Sequence, residues 1–189
     1  MILQPGSQYT LVRLGLEDPL GLPSHSIPTK VYRCEKEEEE TVYSMAEKEG
    51  YSEVFPIVAG HIRDVKGLQF FIKSIITTLL KKDGDGDEEE NGHQEITSAE
   101  LVNLLLVQAS SRWSPFAVES IVNYAFEALN FNSVSVIPLE LCSMFAYGSI
   151  PNALVVDIGY EKSEILPIVD YQLYSPAKKV VSKGGDDIN

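Results

Sequence analysis

Two short stretches carry residue types able to do chemistry on a phosphate. In the first, Asp157-Ile158-Gly159 closes the apolar, β-branched run Ala153 to Val156, and a second such run, Ile165 to Val169, follows a short polar turn. A strand ending in Asp-x-Gly lets bare backbone approach an anion while the carboxylate faces a metal ion or its water shell. Alone, the pattern is more often a hairpin that needs a turn. In the second stretch, Gln4-Pro5-Gly6-Ser7-Gln8, a turn near the N-terminus offers Gly6 and Ser7 to a phosphate. His25, His61 and His93 are dispersed and form no metal spacing with Cys34 and Cys142, so no metal site is expected. No Ser-His-Asp or Cys-His pattern has support. The run from Asp83 imitates a calcium loop and fails as one. Its sixth position is Glu88, where the turn needs glycine, and its twelfth is Gln94, where a bidentate acid is needed.

The elements that must position these residues follow from periodicity. Met1 to Leu16 reads as a hairpin turning at Gln4 to Gln8, with its first strand nearly missing, as if some residues upstream were absent. Ile27 to Arg33 is a third strand, and Cys34 to Glu53 a small mobile subdomain or loop. Asp64 is an N-cap for an amphipathic helix in which Val65, Leu68, Phe71, Ile72, Ile75, Ile76, Leu79 and Leu80 recur at helical spacing. Residues 83–95 form a solvated acidic insertion. Leu101 to Val107 is a buried strand, and Ser114 with Pro115 opens a second helix whose apolar face is Val118, Ile121, Val122, Ala125 and Leu129. Val134 to Ile137 is a strand. A short helix then runs from Pro138 through Leu141, Cys142, Phe145 and Ala146 to Gly148. After the 153–169 hairpin, Lys178 to Ser182 is a last strand, and the Gly184-Gly185-Asp186 segment would start another helix.

The 189 residues, 44% of them hydrophobic, suffice for one core or for one domain and the start of another. The net charge of −13 is concentrated in two places. Glu35 to Glu40 carries −4 and Asp83 to Glu90 carries −6, leaving −3 on the rest. Lys and Arg are not clustered, which argues against direct nucleic-acid binding. Two cysteines are too few for a disulfide framework and suit an intracellular compartment. Leu68 to Leu80 is interrupted by Lys73 and too short for a membrane span, and the N-terminus has no secretory pattern. A soluble, unsecreted protein without membrane contact is expected.

The order of three strands, helix, strand, helix, strand, helix and new hairpin resembles the actin, Hsp70 and sugar-kinase type of α/β fold (RNase H-like). Phe55 to Asp64, FPIVAGHIRD, is similar to the actin-family segment leading into its first long helix. Leu154 to Tyr171 is similar to that family's second phosphate hairpin, Gly184 to Asn189 to the segment opening the inner part of its second lobe, and Gln4 to Gln8 falls at the first phosphate hairpin. The resemblance covers almost the whole chain and implies a first lobe over residues 1–150, with a small acidic subdomain at 34–53, and an incomplete second lobe over 151–189. Within the family, PGSQYTLVRLGL, IPTKVYR and VVDIGYEKSEILPIVDY look most like the divergent class called actin-related protein nine, known as a subunit of fungal SWI/SNF and RSC chromatin remodellers.

An actin-type ATPase needs an acid in each phosphate hairpin, backbone N–H groups around the phosphates, a lysine, and a polar group placing the attacking water. By the resemblance, Asp157 and Gly159 keep the second hairpin's acid and glycine. Gln4 replaces the first acid, Pro5 lacks an N–H, Gln8 stands for a glycine, and the lysine falls at Leu11, with Arg13 nearby. The water-placing residue falls at Leu139. A one-residue shift would put Glu140 there, although the expectation for Glu140 is an exposed first-turn acid favoured by the helix dipole. The nucleotide-binding set is thus a degenerate one of Gly6, Ser7, Asp157 and Gly159. No cofactor is expected, and magnesium ATP would bind weakly at most.

The resemblance implies a non-catalytic actin-related subunit of a nuclear, heteromeric chromatin-remodelling complex acting in transcription. Its partners would be a second actin-related protein and a helical segment of the remodelling ATPase, with Met144 and Tyr147 as contact candidates. One alternative is a working ATPase using Asp157 and Glu140. Another is an acidic histone-binding adaptor working through Asp83 to Glu90.

Overall fold

In chain order, the computed structural model, which describes residues 1–15, 21–35, 41–80, 102–148 and 150–188, starts with the hairpin of β1 (Ile2–Pro5) and β2 (Tyr9–Arg13), continued by β3 (His25–Pro28). The first strand therefore reaches Pro5, and the turn narrows to residues 6–8. A separate small sheet follows, in which β4 (Val31–Cys34) pairs antiparallel with both β5 (Val42–Ser44) and β6 (Ser52–Val54). A two-stranded hairpin, β7 (Ile57–Val58) and β8 (His61–Ile62), precedes the first helix, α1 (Val65–Leu80). Then come β9 (Asn103–Gln108), α2 (Pro115–Glu127), β10 (Ser133–Pro138) and α3 (Leu139–Ala146). The chain ends in a second large sheet of β11 (Ala153–Ile158), β12 (Ser163–Val169), β13 (Gln172–Leu173) and β14 (Lys179–Val181), and a 3-10 turn at Gly185–Asp187.

The first sheet has the order β10-β9-β1-β2-β3. Strand β1 is central, antiparallel to β2 and parallel to β9, which is parallel to β10. Parallel neighbours require crossovers, and α2 supplies the one between β9 and β10. Leu3, Val12, Leu104 and Leu106 on one face of this sheet join Leu68, Phe71, Ile72, Ile75 and Ile76 of α1, and Ile121 and Ala125 of α2, in one buried cluster. Both long helices start at the caps expected. The Asp64 carboxylate accepts the Gly67 N–H at 2.8 Å, and Ser114 Oγ accepts the Ala117 N–H at 3.2 Å with Pro115 behind it.

Several expectations need correction. Ile27 to Arg33 is not one strand. Thr29 N–H turns back to the Gln8 carbonyl, so β3 pairs with β2 while β4 joins a different sheet. Within Cys34 to Glu53, expected as a small mobile subdomain or loop, β5 and the first two residues of β6 pair with β4 in the small sheet. The acidic insertion at 83–95, like the charged run at 36–40, lies outside the described residues. The buried side of α3 is Glu140 and Met144, one turn apart, whereas Phe145 and Ala146 are exposed. The second helix buries Ala117 as well as Ile121 and Ala125. The Gly184-Gly185-Asp186 segment forms a 3-10 turn, with the Gly184 N–H on the Asp187 carboxylate at 2.9 Å.

In the second sheet, β11 and β12 pair so that Asp157 lies opposite Glu164 and Val155 opposite Leu166. Side chains alternate across a strand, so Val155, Asp157, Glu164, Leu166 and Ile168 share one face, and Leu154, Val156 and Ile158 are exposed on the other. Helix α3 packs against β9 and β10 of the first sheet and against β11 of the second, which puts it between the two. Among the described residues no helix is long and apolar enough to cross a membrane.

Candidate functional site

Several turns meet around a cleft of about 200 Å³. The β1–β2 turn contributes Gly6 and Ser7, the β7–β8 turn Gly60, the β9–α2 connection Ser110 and Trp113, α3 its first residue Leu139, and the second sheet Asp157, Gly159 and Lys162. The four residues singled out for a phosphate, Gly6, Ser7, Asp157 and Gly159, are thereby brought together from opposite ends of the chain. Both glycines serve tight turns. The Gly6 N–H donates to the Tyr9 carbonyl at 3.0 Å, and the Gly159 N–H donates to the Lys162 carbonyl at 2.8 Å. A Cβ on Gly6 would stand 2.8 Å from the Tyr9 oxygen. These two amides are engaged inside their own hairpins.

The charged centre of the cleft is a residue the sequence reading passed over. Lys162 Nζ donates to Asp157 Oδ2 at 3.0 Å and to Glu164 Oε2. Its side chain is 7% exposed, that of Glu164 1% and that of Asp157 24%. Burial pushes the Glu164 carboxyl up, but the Lys162 ammonium and the Ser111 hydroxyl outweigh it and hold this group below the usual carboxylate range. Ser111 reaches Glu164 through both its N–H and its hydroxyl, and Lys178 Nζ donates to the same hydroxyl at 2.9 Å. Strand alternation holds a signal for this arrangement. Lys162 and Glu164 fall in phase with the apolar Leu166 and Ile168, where an isolated charge is costly and a pair is expected.

Glu140 is not the exposed acid expected. It is 3% exposed, because α3 lies between two sheets instead of on a solvent face. Burial pushes its carboxyl up, its own backbone N–H opposes this, and the nearby Glu164 and Asp157 carboxylates add to the rise against Lys162. Leu139, not Glu140, lines the cleft. Trp113, also on the wall, is 4% exposed, and its indole N–H has no acceptor among the described residues. Of the two contact candidates, Met144 is 3% exposed and belongs to the packing of α3, whereas Tyr147 is 87% exposed at the helix end. Phe145 beside it stacks on Tyr171 with ring centroids 6.4 Å apart.

A magnesium nucleotide, which the resemblance implies, would need a free carboxylate for the metal's waters and unused N–H groups for the phosphates. Asp157 is already paired with an ammonium, Gln4 is neutral, and Pro5 has no N–H. The Gly6 and Gly159 amides are engaged as described. By these departures the residues present do not fit the metal-held nucleotide. Among the described residues no other cluster of His, Cys, Asp and Glu could hold a metal ion.

A stretch of 134 residues is 29% identical to the "SWI/SNF and RSC complexes subunit arp9" of Schizosaccharomyces pombe. It covers 71% of this chain and 23% of the relative, so the chain matches about a quarter of that protein's length. The family model described as Actin matches residues 1–189. With a mixed sheet crossed by α1 and α2, a second sheet, and a cleft between their hairpins, the match over the full sequence leaves one assignment: the chain belongs to the actin family.

Proposed function

We propose that this chain acts as a non-catalytic, actin-related structural subunit of an ATP-dependent chromatin-remodelling complex, working in the nucleus in transcription regulation. The observation that carries the non-catalytic half is the Lys162 ammonium on Asp157, the carboxylate an actin-type site would use for its metal. A carboxylate already paired with a tethered cation offers less to a metal's water shell. The assembly half rests on the likeness to a protein named as a subunit of the SWI/SNF and RSC complexes.

The partners in this reading are a second actin-related protein and a helical segment of the remodelling ATPase. Tyr147, with Phe145 and Ile150 exposed beside it, is the contact candidate, since an exposed apolar cluster at a helix end suits the apolar side of a helix. Met144 is buried and packs within α3. The test is to tag the full-length product at its own locus, recover it under mild salt and identify what accompanies it. Co-recovery of a remodelling ATPase and a second actin-related protein, without magnesium-dependent ATP turnover by the isolated subunit, supports the proposal. Recovery free of any remodeller, or turnover that Asp157→Ala abolishes, overturns it.

A further inference from the structure

We infer that Lys162 is a resident counter-ion: its tethered ammonium takes the place a divalent cation would need beside Asp157 and Glu164, and it clasps the second sheet to the β7–β8 turn without metal or nucleotide. The inference concerns the cleft alone and does not depend on which assembly the subunit joins.

Three observations support it. The ammonium touches two carboxylates that face each other across the β11–β12 pair, and all three side chains are largely withdrawn from water. Removing the cation would leave buried like charges side by side, with Glu140 close behind them. A divalent ion could enter only against the ammonium's own charge.

Next, the lysine reaches from the second sheet to the separate β7–β8 hairpin. Its stem lies against Gly60 in the β7–β8 turn, where an added Cβ would stand 2.6 Å from Lys162 Cδ and 3.0 Å from Cε. Gly60 has φ +77°, so this turn needs glycine both for its backbone and for the slot it leaves to the lysine.

Finally, the neighbouring contacts cross in the same way. The Ala59 N–H donates to Glu161 Oε2 at 2.7 Å, Arg112 Nη1 donates to the Ala59 carbonyl at 2.9 Å and to Ser182 Oγ at 3.2 Å, and Ser111 reaches Glu164. Glu161 and Glu164, on either side of Lys162, therefore tie its hairpin to the β7–β8 turn and to the β9–α2 connection. A protein-made clasp occupies the place where a bound ligand would otherwise join the two halves.

The experiment uses the full-length subunit and reads thermal unfolding and divalent-ion binding. In the wild type, EDTA, magnesium and magnesium ATP leave the Tm unchanged within about 1 °C, while Lys162→Met lowers it by several degrees. The variant then gains a site absent from the wild type. Manganese, followed by electron paramagnetic resonance, binds it and restores part of the Tm, and adding Asp157→Asn removes that response. Hydrogen exchange on the wild type, which needs no variant to fold, shows the β7–β8 turn equally protected with EDTA and with magnesium ATP. A rise in the wild-type Tm or in that protection with magnesium ATP would overturn the inference. So would a Lys162→Met protein that folds with unchanged Tm, or one that gains no manganese site.

Discussion

The backbone N–H of Ala59 donates to the Glu161 carboxylate at 2.7 Å, joining residues 102 positions apart in the chain. Ala59 itself sits at φ 48°, a left-handed conformation that a non-glycine residue adopts only where its surroundings hold it. Replacing Glu161 with Ala removes a charge-assisted acceptor and is expected to cost about 1.5–3 kcal/mol. Urea unfolding measures this. Glu161→Gln, which keeps an acceptor oxygen, should recover part of the loss.

Gly50 and Gly60 make a controlled comparison. Both have positive φ, +80° and +77°, but a Cβ on Gly50 meets nothing within 4 Å, whereas on Gly60 it meets Lys162 Cδ and Ser110 Oγ, both at 2.6 Å. Gly50→Ala should cost about 1 kcal/mol from backbone strain alone. Gly60→Ala should cost roughly 2–4 kcal/mol because strain and overlap add. Equal midpoints in denaturant melts would contradict the slot assigned to Lys162.

Tyr43 links the small sheet to the start of α1. Its hydroxyl donates to both Asp64 oxygens at 2.9 Å while Asp64 also accepts the Gly67 N–H. Burial and then the Asp64 hydrogen bond push the phenol from 10.0 up to about 12. A pKa raised on folding favours the protonated phenol, so the stabilisation is full below about pH 10 and is lost as pH rises toward about 12. Wild type should lose stability across that window relative to Tyr43→Phe, whose own deficit appears at neutral pH, as denaturant midpoints at stepped pH will show.

Glu140 has the opposite sign of usefulness. Its carboxyl is pushed up by burial, so ionisation at neutral pH opposes folding and protonation in acid relieves it. Glu140→Gln should therefore stabilise the protein at pH 7, and the gain over wild type should shrink as pH falls through the raised pKa toward the ordinary carboxylate range. Thermal melts from pH 4 to pH 8 test this; a gain independent of pH would place the effect in packing.

Met144 and Tyr147 separate stability from assembly. Met144→Ala empties a buried site on α3 and is expected to cost about 2–5 kcal/mol. Tyr147→Ala, at 87% exposed, should change stability by less than about 0.5 kcal/mol. Under the proposed function it should reduce recovery of the helical partner in pull-downs, and unchanged recovery would remove Tyr147 from that interface.

The legible parts of the fold are those fixed by local chemistry. Asp64 and Ser114 could be named as caps because capping involves a side chain and an amide only a few residues apart, and the 16-residue α1 displays several turns of apolar period. The β11–β12 hairpin was legible from two β-branched runs around a polar turn. The β3–β4 break was not, because each half has strand character and only the pairing partner distinguishes them.

The sequence by itself determined the hairpin that carries Asp157 and Gly159, since this rests on residue type and short-range spacing, while the family's elements and the place of Gln4 and Pro5 among them came from the resemblance. The tertiary structure decided what those residues meet. An eight-residue helix shows too little period to declare its buried side, so Glu140 and Met144 were assigned inward only by the sheets on either side of α3. Lys162 became the partner of Asp157 through the strand register that sets Asp157 opposite Glu164, and became a clasp only because Gly60, about a hundred residues earlier, leaves it room. Long-range packing sets both, through excluded volume and the cost of burying an unpaired charge.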